Sequence, residues 1–295
     1  MNNRFILFVG GGSLAGVFGA GAVTALQKMD CYNQIEAVYG VSVGVFIGAY
    51  FLTRQTELGS SIFYEDLTHD FVFPKRIPKG LIQRLWHGYV KPFAPEKILN
   101  AVDLNYLFEV VKHRKPLDIP RLKSQGTPLF AKLLNLKTGE VVYQRVDNSN
   151  DPLTVIESAV SIAPYYFSYR NTYGHIDAAP KEPIGLKYLV EKYPGQKIVM
   201  ILNQSLDRKF RHHLKNVLEG IGANPMYDLP FFDYLTNKEK SLRTDLALAK
   251  NNSNVLIISP PEGQHSLTFT TNQAKLLSTY EAGKKEAEKI SEFVN

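Results

Sequence analysis

The chain has 295 residues, 44% hydrophobic and 21% charged, a globular composition that excludes a mainly disordered or collagen-like protein. Its one cysteine, Cys31, excludes an intramolecular disulfide framework and a thiolate zinc cluster and suits a reducing compartment. The net charge of +6 favours anionic partners in a general way. In chain order, the apolar run Phe5-Ile6-Leu7-Phe8-Val9 predicts a strand buried on both faces. Gly10-Gly11-Gly12-Ser13 follows as a loop, then a small-residue helix from Leu14 to about Met29. A second strand is expected at Ile35–Tyr39, a sharp turn at Gly40–Gly44 and a second buried helix from Val43 to about Arg54. Strand, glycine turn and helix, repeated, is the pattern of a parallel sheet.

From Ser60 to Pro95 the periodicity dissolves into aromatics and prolines. Here the charge concentrates: between Pro74 and Lys97 the bases Lys75, Arg76, Lys79, Arg84, Lys91 and Lys97 face only Glu96, a net +5. A nucleic-acid binder would show several such runs, so nucleic acid is not expected as a partner. Helical spacing returns at Pro95–Asn100 and Leu104–Lys112, a hairpin is expected over Leu129–Val146, and a helix from Asp151-Pro152 to about Ile162. Further strands are predicted at Lys197–Leu202 and Asn254–Ile258, and helices at Arg208–Glu219, Phe231–Lys250 and Thr271–Phe293. The uncharged runs Phe5–Gln27 and Ala37–Thr53 are too interrupted by glycine for membrane spans, and Phe5–Val9 is too short an apolar region for a signal peptide. The reading is one α/β domain over residues 1–295, with an aromatic-basic insertion at about 60–97.

Gly40-Val41-Ser42-Val43-Gly44 is the strongest local signal. G-x-S-x-G between a strand and a helix forces a tight turn that lifts the serine oxygen clear, with a helix N-terminus behind it. Gly10–Gly12 exposes consecutive N–H groups able to hold an anion. Gly10, Gly12 and Ala15 also fit a dinucleotide fingerprint, but Glu36 stands at the start of the second strand rather than its end, and that reading leaves Ser42 unexplained. A serine nucleophile needs a base. Asp177 with His265 would give the Ser-Asp-His order of α/β-hydrolases, although those folds place the serine after more strands.

Together the glycine loop, the G-x-S-x-G about thirty residues later, and Gly174-His175-Ile176-Asp177-Ala178-Ala179-Pro180 resemble the patatin-like phospholipases. Glu157–Phe167 is similar to the family's helix before its aspartate, and Asn254–Pro261 to a late strand. The resemblance spans most of the chain outside the insertion. It implies a three-layer α/β/α fold with a mainly parallel sheet and a Ser-Asp dyad without histidine. Ser42 would be the nucleophile, Asp177 the proton acceptor, and Gly11, Gly12 and Val43 the oxyanion donors. Two positions depart from the family: Ala15 replaces an Arg or Lys, and Ala178-Ala179 replaces Gly-Gly or Gly-Ala. The implied function is a phospholipase- or lysophospholipase-like serine acyl hydrolase that needs no cofactor or metal. Its substrate is a phospholipid or other acyl ester. A cytoplasmic location is expected, with peripheral contact to anionic membranes. The alternatives are a catalytically silent lipid- or partner-binding relative and, more distantly, a dinucleotide-binding protein.

Overall fold

The computed structural model describes residues 4–29, 31–89, 99–166, 174–206 and 213–295. Phe5–Val9 is strand β1, with every residue buried. Phe5, Leu7 and Val9 enter one core while Ile6 and Phe8 enter another, so both faces of the strand are covered. Such a strand belongs inside a parallel sheet. It pairs in parallel with β2 (Ile35–Val41) on one side and β6 (Lys197–Ile201) on the other. Outward from these, β3 (Leu129–Asn135) joins β2 and β7 (Val255–Ile258) joins β6, again in parallel. The two antiparallel members, β4 (Val141–Arg145) and β5 (His175–Asp177), both pair with β3. The seven-stranded order is β4-β3-β2-β1-β6-β7, with β5 beside β3.

Helices form the outer layers. On one face lie α1 (Val17–Lys28), α2 (Val43–Leu52) and α11 (Gln273–Glu286), whose buried residues share a core with Phe5, Leu7 and Val9. On the other lie α8 (Leu186–Lys192) and α10 (Phe231–Lys250), packed on Ile6 and Phe8. The fold is therefore the expected three-layer α/β/α arrangement with a mainly parallel sheet. The other described helices are α3 (Thr56–Ser61), α4 (Arg76–Tyr89), α5 (Leu104–Glu109), α6 (Ile119–Ser124), α7 (Pro152–Val160), α9 (His213–Ala223) and α12 (Lys289–Val294).

Several local expectations change. The described part of the 60–97 segment is largely helical: α3 runs into a π turn at Ile62–Asp66, and α4 follows. Ile77, Leu81 and Leu85 recur at helical spacing along α4, with Ile82 and Trp86 beside them, an apolar period set among the prolines, glycines and basic residues of this segment. Arg84 is 2% exposed, and burial lowers its pKa to about 10, so it is no part of a solvent-facing basic cluster. Lys91, Lys97 and most of the helical spacing expected at 95–100 lie outside the described residues, as do positions 208–212 of the helix expected at 208–219. The long C-terminal helix breaks after Glu286, and α12 turns Ile290 and Val294 into the core. Among the described residues no helix is long and apolar enough to cross a membrane.

Candidate active site

Two strands that arrive from opposite directions build the site. Val41, the last residue of β2, lies opposite Lys132 on β3, and Asp177, the last residue of β5, lies opposite the next residue, Leu133. Because β2 runs parallel to β3 and β5 antiparallel, their C-terminal ends meet head to head along one edge of β3. Ser42 directly follows Val41, so the register alone delivers the serine and the aspartate to one place. Ile176 and Ala178 anchor β5 from below by packing with Leu134, Ala163 and Phe231.

Ser42 sits in a sharp turn at φ 55°, ψ −134°, a conformation that costs a non-glycine residue about 1–3 kcal/mol. Its neighbours make the turn possible. A Cβ on Gly40 would stand 2.5 Å from the Val45 nitrogen, and one on Gly44 would run into the Val9 carbonyl. Ser42 is the N-cap of α2, whose first turn leaves the Val43 N–H without an intrahelical acceptor. The glycine loop closes in from the other side: a Cβ on Gly11 would lie 2.8 Å from the Ser42 Cβ and 3.5 Å from its Oγ. Among the described residues, no backbone carbonyl accepts from the N–H of Gly11 or Gly12.

Asp177 is fully buried. Burial pushes its carboxyl up to about 6, against the opposing pull of the Ala179 N–H, the Ser42 hydroxyl, and the charges of Lys238 and Lys132. The Ala179 N–H donates to Oδ1 at 2.8 Å and fixes the carboxylate plane. The Ser42 hydroxyl is near enough to favour the charged form, yet Oδ2 remains buried without a full hydrogen bond. That oxygen is the open acceptor of the site. Neither Ala178 nor Ala179 has a positive φ, so the missing glycines deprive the turn of nothing it uses. Lys132, itself fully buried, is bound to Glu182 Oε2 at 2.6 Å and to the Glu182 carbonyl at 2.7 Å.

Ser42, Val43, Gly11 and Gly12 line a cavity of about 260 Å³ whose walls are mostly apolar, with Phe46, Phe63 and Leu107 among them. No histidine is among its described lining residues. His265 lies outside it, with Nδ1 buried and unpartnered, and the His175 ring faces the Asn135 side chain at 3.4 Å. The triad order therefore finds no geometric support. Glu36, the acid weighed for the dinucleotide reading, pairs with Arg4 at 3.1 Å. Sequence reasoning missed Asn203. This buried residue stands two positions after β6 and donates to the Gly10 and Gly11 carbonyls. The only signal for it was a polar residue at the carboxyl end of a parallel strand beside the glycine loop.

No protein-family model matches the chain, and no curated protein matches it in sequence. Among solved structures, VipD from Legionella pneumophila is similar, with a TM-score of 0.53 at 12% identity. The match covers 98% of this chain and 67% of that one. At that identity the likeness establishes a shared fold.

Proposed function

We propose that this protein is a serine acyl hydrolase acting on lipid esters through a Ser42-Asp177 dyad. The observation that carries the reading is the head-to-head meeting of β2 and β5. It sets a strained serine at an apolar cavity beside a buried aspartate with one open oxygen. The Oγ of Ser42 attacks the acyl carbonyl carbon while Asp177 Oδ2 takes the hydroxyl proton. The N–H groups of Gly11, Gly12 and Val43 receive the developing oxyanion. Collapse expels the alcohol, which takes its proton back from Asp177, and leaves an acyl-serine. Water, deprotonated by Asp177, then attacks the ester and releases the fatty acid and free Ser42. Every step uses the chain's own side chains and backbone.

The apolar cavity suits an acyl chain, and α4 suits the surface from which such a chain is drawn. Ile82 (65% exposed) and Trp86 (50%) point outward one turn apart, and Lys75 and Lys79 are exposed at the start of the helix. Anionic membranes are the proposed peripheral partner.

A fluorophosphonate probe tests the chemistry. Wild-type protein is expected to label covalently at Ser42, with Ser42→Ala unlabelled and His265→Ala labelled normally. A folded wild type that stays unlabelled would leave a lipid-binding protein without catalysis.

A further inference from the structure

Three consecutive glycines have more conformational freedom than any other tripeptide, so a loop built from Gly10, Gly11 and Gly12 does not hold its own N–H groups in place. Asn203 is the side chain that meets it. It is 2% exposed, and its Nδ2 donates to the Gly10 carbonyl at 2.6 Å and to the Gly11 carbonyl at 3.2 Å. Its Oδ1 accepts the Gly19 N–H at 2.8 Å. These partners fix the amide's orientation, because the reverse would set an NH2 against an N–H and an oxygen against two carbonyls. Gly19 is the third residue of α1, in the turn whose N–H groups lack intrahelical acceptors. Gly16, the N-cap of α1, offers no side chain, so Asn203 caps the helix from the loop after β6. The fit is close: a Cβ on Gly19 would stand 2.8 Å from Oδ1.

We infer that Asn203 is the positioning residue of the oxyanion hole, an assignment that rests on the acyl-hydrolase reading. The reason is peptide planarity. A carbonyl and the N–H that follows it share one rigid plane and point in opposite directions. Holding the Gly10 oxygen therefore aims the Gly11 N–H away from Asn203, and holding the Gly11 oxygen does the same for the Gly12 N–H. One NH2 group sets two donors, and the Gly11 backbone it sets stands against Ser42. The loop has no basic side chain of its own: Ala15, 1% exposed, ties its N–H to the Gly12 carbonyl at 3.1 Å. Asn203 supplies the support from the loop after β6.

Asn203→Ala removes the amide, and Asn203→Asp turns the donating NH2 into an oxygen facing two carbonyls. For both, kcat on a short-chain ester and the rate of fluorophosphonate labelling are expected to fall roughly 10²-fold, the scale of losing one oxyanion donor. KM and the pH inflection set by Asp177 should hold. Affinity for a trifluoromethyl ketone, which adds to serine as a tetrahedral oxyanion, should fall in step with kcat. If Asn203→Asp does not fold, Asn203→Ala, which leaves only a small void, gives the answer. Ile290→Ala, buried in α12 away from the loop, measures how much activity a general loss of stability removes. The inference is overturned if the Asn203 variants label and turn over like wild type, if they lose no more than Ile290→Ala, or if the loss lies in KM. Folded but unlabelled wild type overturns the acyl-hydrolase reading and this inference with it. Labelled wild type with equally labelled Asn203→Ala overturns this inference alone.

Discussion

Asp177 carries opposite signs for stability and for chemistry. Its carboxyl is raised to about 6 by burial, from an ordinary value near 4, so the folded chain holds this proton more tightly than the unfolded chain does. Stability from this group is complete below about pH 4 and is lost as pH rises through about 6, where the buried carboxylate must exist without a full partner on Oδ2. Asp177→Asn removes that ionisation. It is expected to abolish hydrolysis yet raise unfolding stability at pH 8 by up to about 3 kcal/mol, with no gain at pH 4. Urea titrations at the two pH values measure this, and an equal effect at both would reject the assignment. For the wild type, kcat/KM should rise through pH 6 to a plateau, because the proposed base works ionised. The turns that carry Ser42 and Asp177 were legible in the sequence because glycines and alanines crowd around them. Asn203 was not, because its meaning comes from two carbonyls nearly two hundred positions away, and a lone asparagine after a strand carries no local pattern.

Among the elements, α1 and α11 make the closest contact of the outer layer. Gly21 faces the Tyr280 carbonyl and Gly283 faces the Phe18 carbonyl, each so near that a Cβ would strike backbone. The contact is reciprocal, so neither helix can yield without the other. Gly21→Ala is expected to lower the unfolding free energy by about 1–3 kcal/mol, the range for overpacking a tight core. An unchanged denaturant midpoint would mean that the two helices separate freely. The central strands and the helices between them were legible because a doubly covered strand is a continuous apolar run, as Phe5–Val9 and Lys197–Ile201 nearly are. Two elements were hidden for opposite reasons. Strand β5 has only three residues and takes its extended form from β3, whereas α4 carries a full apolar period, Ile77, Leu81 and Leu85, among prolines and basic residues that obscure it. For β5, tertiary contacts decide what the local pattern leaves open.

At the scale of the whole molecule, the net charge and the exposed apolar residues of α4 bear on the proposed attachment to anionic bilayers. Lys75 and Lys79 are exposed, whereas Arg84 is buried and contributes nothing to a surface. At about 1 kcal/mol per basic residue near an anionic surface, changing both lysines to Gln should weaken vesicle binding roughly 30-fold. Arg84→Gln should instead lower stability, because its guanidinium packs inside. Co-sedimentation with phosphatidylserine vesicles measures the first effect, and binding that ignores salt or the lysines would leave α4 as ordinary surface. The meeting of β2 and β5 on the edge of β3 also orders events during synthesis. A chain made from its N-terminus completes the serine turn long before β5 exists, and β5 has no place to pair until β3 is in the sheet. Until that late docking step the proposed nucleophile, Ser42, has no Asp177 beside it. The proposed lipolytic chemistry therefore waits, by topology, on the arrival of β5.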